Sequence, residues 1–165
     1  MSKAAVLNSI VPTTFNVDYS VSTDSRPAYS GPVRNQGGCG SCWAFSGIAE
    51  IESYFMKDHK LVLDLSEQQM VDCLPAVQSG NAGCGGGYLD SVGYYSVRFG
   101  ISLERFYPYT ATQAASCNNA KVAAGPNWKI NSYVYVRDCL ALANYLINNR
   151  PLGVCGGIGT EWSSY

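Results

Sequence analysis

The sequence predicts an α+β protein: a helical part comes first and the opening of a β-rich part follows. Three observations carry this. An apolar helical stretch runs from Ser41 to about Asp58 behind the glycine-rich turn Gln36-Gly37-Gly38-Cys39-Gly40. Ser66 and Gln69 form a capping-box pattern that starts a second helix. Downstream, Tyr133-Val134-Tyr135-Val136 alternates as a strand does.

Taken in chain order, residues 1–11 read as a leader or the remnant of a pro-region. Residues 12–27 form an extended arm, with Phe15, Val17 and Tyr19 alternating between Pro12 and Pro27. The helix from Ser41 is apolar on most sides at its start and polar only later, which fits burial in a domain core. The second helix is expected from Ser66 to about Cys73. Five glycines between Gly80 and Gly87 make a loop, and a short helix over Tyr88 to Val97 ends before Gly100. From Pro108 to Pro126 the chain is irregular and rich in Ala and Asn, a plausible domain boundary. These bounds give a helical domain over 28–126 and a partial β-rich domain over 127–165. In the latter, Asp138 caps a helix carrying Leu142, Ala143, Leu146 and Ile147, Arg150-Pro151 stops it, and Leu152 to Cys155 returns to a strand.

Composition excludes several function classes. With 47% hydrophobic residues in 165, the chain can bury a core. Lys and Arg total 11 against 12 Asp and Glu, so no net field favours nucleic acid or an anionic membrane. No apolar run approaches the length of a membrane span, and Met1 to Leu7 is too weak for a signal-peptide core. Two readings follow: an intracellular protein, or a chain numbered from beyond a secretory pro-region. Seven cysteines, at 39, 42, 73, 84, 117, 139 and 155, are many for a reduced cytosolic protein and fit an oxidising compartment.

The chemistry concentrates at Cys42. It sits at or next to the first turn of the apolar helix, where unpaired N–H groups and the positive end of the helix dipole favour a negative sulfur. For Cys42 alone the default reading is a small buried core residue; the glycine turn and Gln36 displace it. Cys39-x-x-Cys42 also has the form of a redox motif or half a zinc site. Zinc needs a second closely spaced pair, whereas Cys73 and Cys84 stand eleven apart. A thioredoxin-like motif belongs in a βαβ pattern, and Ser22 to Gly31 is no strand. No metal and no cofactor is called for.

Cys39-Gly40-Ser41-Cys42-Trp43 fits the pattern C-G-[SA]-C-[WY] found around the nucleophile of papain and cathepsin enzymes. With Pro32-Val33-Arg34-Asn35-Gln36 before it and Ala44-Phe45-Ser46 after it, the segment resembles the papain-like (cathepsin-type) cysteine peptidases in their N-terminal portion. Leu65 to Cys73 is similar to the family's second helix, Gly83 to Tyr88 to its glycine-rich substrate loop, and Tyr107-Pro108-Tyr109 is a weaker match. The resemblance covers roughly residues 12 to 165.

The resemblance implies a papain-like fold with the helical L domain complete and the β-rich R domain truncated. It implies the bridges Cys39–Cys84 and Cys73–Cys117, with Cys42 free; Cys139 and Cys155 have no assigned partner. Cys42 becomes the nucleophile on a scissile carbonyl, and the Gln36 amide and the Cys42 N–H receive the oxyanion. Gly86 and Gly87 resemble the loop that pairs with an extended substrate backbone, while Tyr88, Leu89 and Cys155 fall at positions lining the neighbouring side-chain pocket. Cys155 reads equally well as a small core residue. Two departures stand out: Asp18-Tyr19-Ser20 where the family has Asp-Trp-Arg, and Leu89 in place of a common proline.

A thiolate peptidase needs a histidine and a third group to orient it. In this family they lie about 130 to 150 residues beyond the cysteine, so the nearer falls at roughly position 172, past Tyr165. His59, seventeen residues after Cys42, reads as a solvated helix-end residue beside Lys57, Asp58 and Lys60. The expected partners are a peptide or protein substrate and a second chain or continuation carrying the histidine and an asparagine; the 165-residue chain alone is expected to be inactive. The competing class is a papain-like structural or binding component of an assembly without turnover, against which the retained Cys42 and Gln36 count.

Overall fold

The computed structural model describes residues 31–138, 141–142, 145 and 152–154. The expected leader and arm over 1–27, together with Cys139 and Cys155, lie outside the described residues. Four α-helices are set out here: α1 (Cys42–His59), α2 (Glu67–Val77), α3 (Leu89–Arg98) and the short α4 (Asn119–Val122), with a 3-10 turn at Gly83–Gly85.

The helix α1 buries Trp43, Ala44, Gly47, Ile48, Ile51 and Phe55, a stripe spaced at helical period that packs inward. It ends where Lys60 takes a left-handed conformation (φ 58°), its N–H returning to the Phe55 carbonyl. Lys57 in the last turn complements the negative end of the helix dipole. The α1 and α3 axes approach closely at Gly47, where a Cβ would stand 2.6 Å from Val92 Cβ.

The helix α2 starts as expected at Ser66, whose hydroxyl accepts from the Gln69 N–H at 3.0 Å. Only half of the capping box forms. The Gln69 side chain turns instead to the segment after α3, where Oε1 accepts from the Ser102 N–H at 2.7 Å and Nε2 donates to the Gly100 carbonyl at 3.3 Å. The Ser66 N–H, which a complete box would satisfy, goes to the Ser102 carbonyl at 2.9 Å. The helix also runs on to Val77, beyond the expected end near Cys73, with Pro75 inside it. Proline at that point forfeits one backbone bond in the last full turn, too late to stop the helix.

Two isolated antiparallel bridges, Leu65 with Leu103 and Ile101 with Trp128, are the β pairing among the described residues. The expected strand at 133–136 carries no ladder there, and Tyr133, Val134 and Tyr135 are exposed. Alternation gives a segment two faces, but a strand exists only with a partner. Leu152 to Val154 likewise forms no described strand. The Leu142 N–H donates to the Asp138 carbonyl at 2.9 Å, one helical bond at the expected cap. The stretch expected to be irregular between 108 and 126 holds α4, whose N-cap Asn118 accepts from the Lys121 N–H.

Leu65, Met70, Leu74, Val92, Ile101 and Tyr107 complete the core with the α1 stripe. The Tyr107 hydroxyl donates to Asp72 Oδ2 at 2.9 Å and accepts from the Asn118 N–H at 3.1 Å. Because the hydroxyl is buried and already bonded to a carboxylate, it is pushed up to about 12, chiefly by desolvation.

Candidate active site

Cys42 is the first residue of α1 and its thiol is free and exposed. Two features of the preceding turn put it there. The Gly40 N–H donates to the Cys84 carbonyl at 3.0 Å, and Cys39 is bonded to Cys84. The glycine turn is thus pinned to the glycine loop, and Cys39 is not available as a redox or zinc partner of Cys42. The second bridge, Cys73–Cys117, ties α2 to the segment before α4.

Gln36 is half-buried, and its amide Nε2 donates to the Cys39 carbonyl at 3.0 Å. One amide hydrogen is engaged in the turn and the other remains for a ligand. The backbone at Gln36 and the start of α1 meet through Tyr109, whose hydroxyl donates to the Gln36 carbonyl at 2.8 Å and lies 2.6 Å from Ser41 Oγ. Sequence reasoning gave Tyr109 and Ser41 no role; the one signal was the Tyr107-Pro108-Tyr109 match.

In the glycine loop, Gly86 has φ 116° and its backbone is used internally: its N–H donates to the Gly83 carbonyl at 3.3 Å and its carbonyl accepts from the Ala82 N–H at 2.8 Å. Gly87 is different. A Cβ there would stand 2.6 Å from the Trp43 ring, and no hydrogen bond among the described residues occupies its backbone. Asn81, which sequence reasoning also missed, shapes this wall: its Oδ1 accepts from the Tyr88 N–H at 3.0 Å and its Nδ2 donates to Ser91 Oγ at 3.2 Å. Tyr88 is exposed beside the loop. Leu89, the first residue of α3, is half-buried and lines a cavity of about 650 Å³ with Gly47, Glu50, Tyr54 and Tyr133.

The two ends of α1 separate the remaining candidate. His59 closes the helix, and its Nε2 is 3.0 Å from the Tyr54 hydroxyl. Seventeen residues of helical rise put it roughly 25 Å from Cys42, far outside proton-transfer range.

Glu52, Glu67 and Glu104 form a group of carboxyls close enough to interact. Burial pushes Glu67 up to about 8 and Glu52 up to about 7, with the neighbouring acids adding to both. Glu52 Oε1 accepts from the Leu65 N–H at 2.7 Å, and Glu104 Oε1 from the Tyr109 N–H at 2.6 Å. Arg34 is paired with Asp64 at the exposed edge of the group.

The family model described as papain family cysteine protease matches residues 19–165. The chain belongs to that family. It is 34% identical over 139 residues to a cathepsin L-like proteinase of Fasciola hepatica, covering 83% of this chain and 41% of that protein. It is 40% identical over 124 residues to chymopapain of Carica papaya, covering 74% and 34%. Among solved structures, the Carica candamarcensis cysteine protease CMS1MS2 in complex with E-64 matches with a TM-score of 0.57 and 38% identity, over 65% of this chain and 47% of that one. The fold class is therefore papain-like α+β, with the helical part of that fold described here. The chain spans about two fifths of the length of the first of these relatives.

Proposed function

We propose that this chain supplies the nucleophile-bearing part of a thiol protease that hydrolyses peptide bonds through a Cys42 acyl-enzyme. The observation that carries the reading is a free, exposed thiol at the first residue of α1, held against a disulfide-anchored glycine loop. The Cys42 sulfur attacks the carbonyl carbon, and the oxyanion accepts from the Gln36 amide and the Cys42 N–H, donors of a kind each worth about 2.7 to 4 kcal/mol of barrier. Gly87 pairs with the extended substrate backbone, with Tyr88, Leu89 and Cys155 setting side-chain preference. Residues 28–126 form the domain that bears these groups and 127–165 the opening of the β-rich one.

The proton-accepting histidine and its asparagine come from a second chain or a continuation, because His59 sits at the wrong end of α1. The protein's compartment is an oxidising one, lysosomal, vacuolar or extracellular, a reading that the two disulfides support. The test is treatment of the native full-length protein with a peptide epoxide, followed by mass mapping. A covalent adduct on Cys42 that disappears in Cys42→Ser is expected. Native protein that contains the histidine and stays unlabelled would overturn the reading in favour of a papain-like component without turnover.

A further inference from the structure

Proton accounting at Tyr109 carries an inference that rests on the proposed acyl-transfer reading. The Tyr109 hydroxyl has one hydrogen, and the Gln36 carbonyl 2.8 Å away can only accept. In the 2.6 Å contact between Tyr109 Oη and Ser41 Oγ the donor is then Ser41, whose other acceptor, the Cys39 carbonyl, stands farther off at 3.4 Å.

Ser41 is the N-cap of α1, and a serine there ordinarily accepts from the second or third N–H of the helix. Here it makes no side-chain cap bond. The Ala44 and Phe45 N–H groups go to the Ser41 carbonyl at 2.9 and 3.1 Å. Among the described residues nothing accepts from the Cys42 or Trp43 N–H. Ser41 is fully buried, so its hydroxyl cannot turn to water instead. Tyr109 is itself braced: its N–H donates to Glu104 Oε1 at 2.6 Å, and its ring meets Phe45 edge-on with centroids 4.9 Å apart.

We propose that Tyr109 is a positioning residue for oxyanion binding, tying the Gln36 backbone to Ser41 at the start of α1 and so fixing the Gln36 amide relative to the Cys42 N–H. It touches no reacting atom. It acts through Gln36 and through the helix start that carries the nucleophile.

The test compares two reactions of Cys42 in the native full-length protein. A peptide aldehyde binds by reversible addition: the sulfur bonds to the carbonyl carbon, the π pair moves to oxygen, and that oxygen needs the donors. Iodoacetamide alkylates the same sulfur, expelling iodide, and forms no oxyanion. Tyr109→Phe keeps the ring and removes only the hydroxyl. The expected result is an aldehyde inhibition constant raised about tenfold or more, with the alkylation rate unchanged.

Equal loss in both reactions would mean general damage, and no loss in either would mean an idle hydroxyl; each overturns the proposal. Wild-type protein that is alkylated yet binds no aldehyde would instead remove the acyl-transfer reading on which this rests.

Discussion

The indole N–H of Trp43 donates to the carbonyl of Gly83 at 3.2 Å, joining the residue after Cys42 to the start of the 3-10 turn in the glycine loop. The same ring forms the floor under Gly87, where a side chain would collide with it. Helix start and loop are thus one unit, fastened by this bond, by Gly40 N–H to the Cys84 carbonyl, and by the Cys39–Cys84 bridge. Trp43→Phe removes the donor, while the Gly83 carbonyl keeps its weaker bond from the Gly86 N–H at 3.3 Å. The expected loss is about 1–2 kcal/mol, read as a lower urea midpoint at unchanged m-value.

Opening the Cys39–Cys84 bridge should cost more. It closes a loop of 45 residues in sequence, for which chain entropy gives about 4 kcal/mol. The double variant Cys39→Ser/Cys84→Ser should show that loss in chemical denaturation. A drop below about 1 kcal/mol would mean that the hydrogen bonds alone hold the loop.

At Gly47 the sign of the effect is the test. Glycine to alanine inside an exposed helix normally gains about 1 kcal/mol. In α1 the new methyl would stand 2.6 Å from Val92 Cβ, in a helix pair with no room to give. Gly47→Ala should therefore lose roughly 1–3 kcal/mol by overpacking, and Val92→Ala should recover part of that loss. A stabilised single variant would show that α1 and α3 are free to separate.

What was legible in the sequence was what local chemistry decides. The glycine turn, the helix with Cys42 at its mouth and the Ser66 cap follow from neighbours in the chain, and α1 starts within one residue of its expected bound. What local patterning could not reach were long-range choices. Gln69 had a backbone N–H three residues away to answer, yet its side chain serves Ser102, 33 residues on. Tyr109 reaches back 73 residues to Gln36, a contact that no spacing rule encodes. The alternation at 133–136 is a property of the segment alone, whereas strand pairing depends on a partner elsewhere in the chain.

The buried carboxyls give a pH dependence with a definite sign. Glu67 is held up near 8 and Glu52 near 7, against an ordinary 4.5, because burial disfavours their charged forms. Glu104 is raised as well, and Asp64 and Arg34 complete the charged groups facing them. Between pH 4.5 and these raised values the folded chain holds protons that the unfolded chain has released. Stability from this group is therefore fully present below about pH 4.5 and declines as pH rises through 7 and 8. Each such carboxyl contributes a slope of about 1.4 kcal/mol per pH unit within its window. Glu67→Gln is neutral at every pH and nearly the shape of the protonated acid. It should leave stability at pH 4 almost unchanged and flatten the fall between pH 5 and 8 by about one proton. Urea unfolding of wild type and variant across that range reads the slope directly. If the two run parallel, the Glu67 carboxylate is solvated in the folded protein and the desolvation account of this group is wrong.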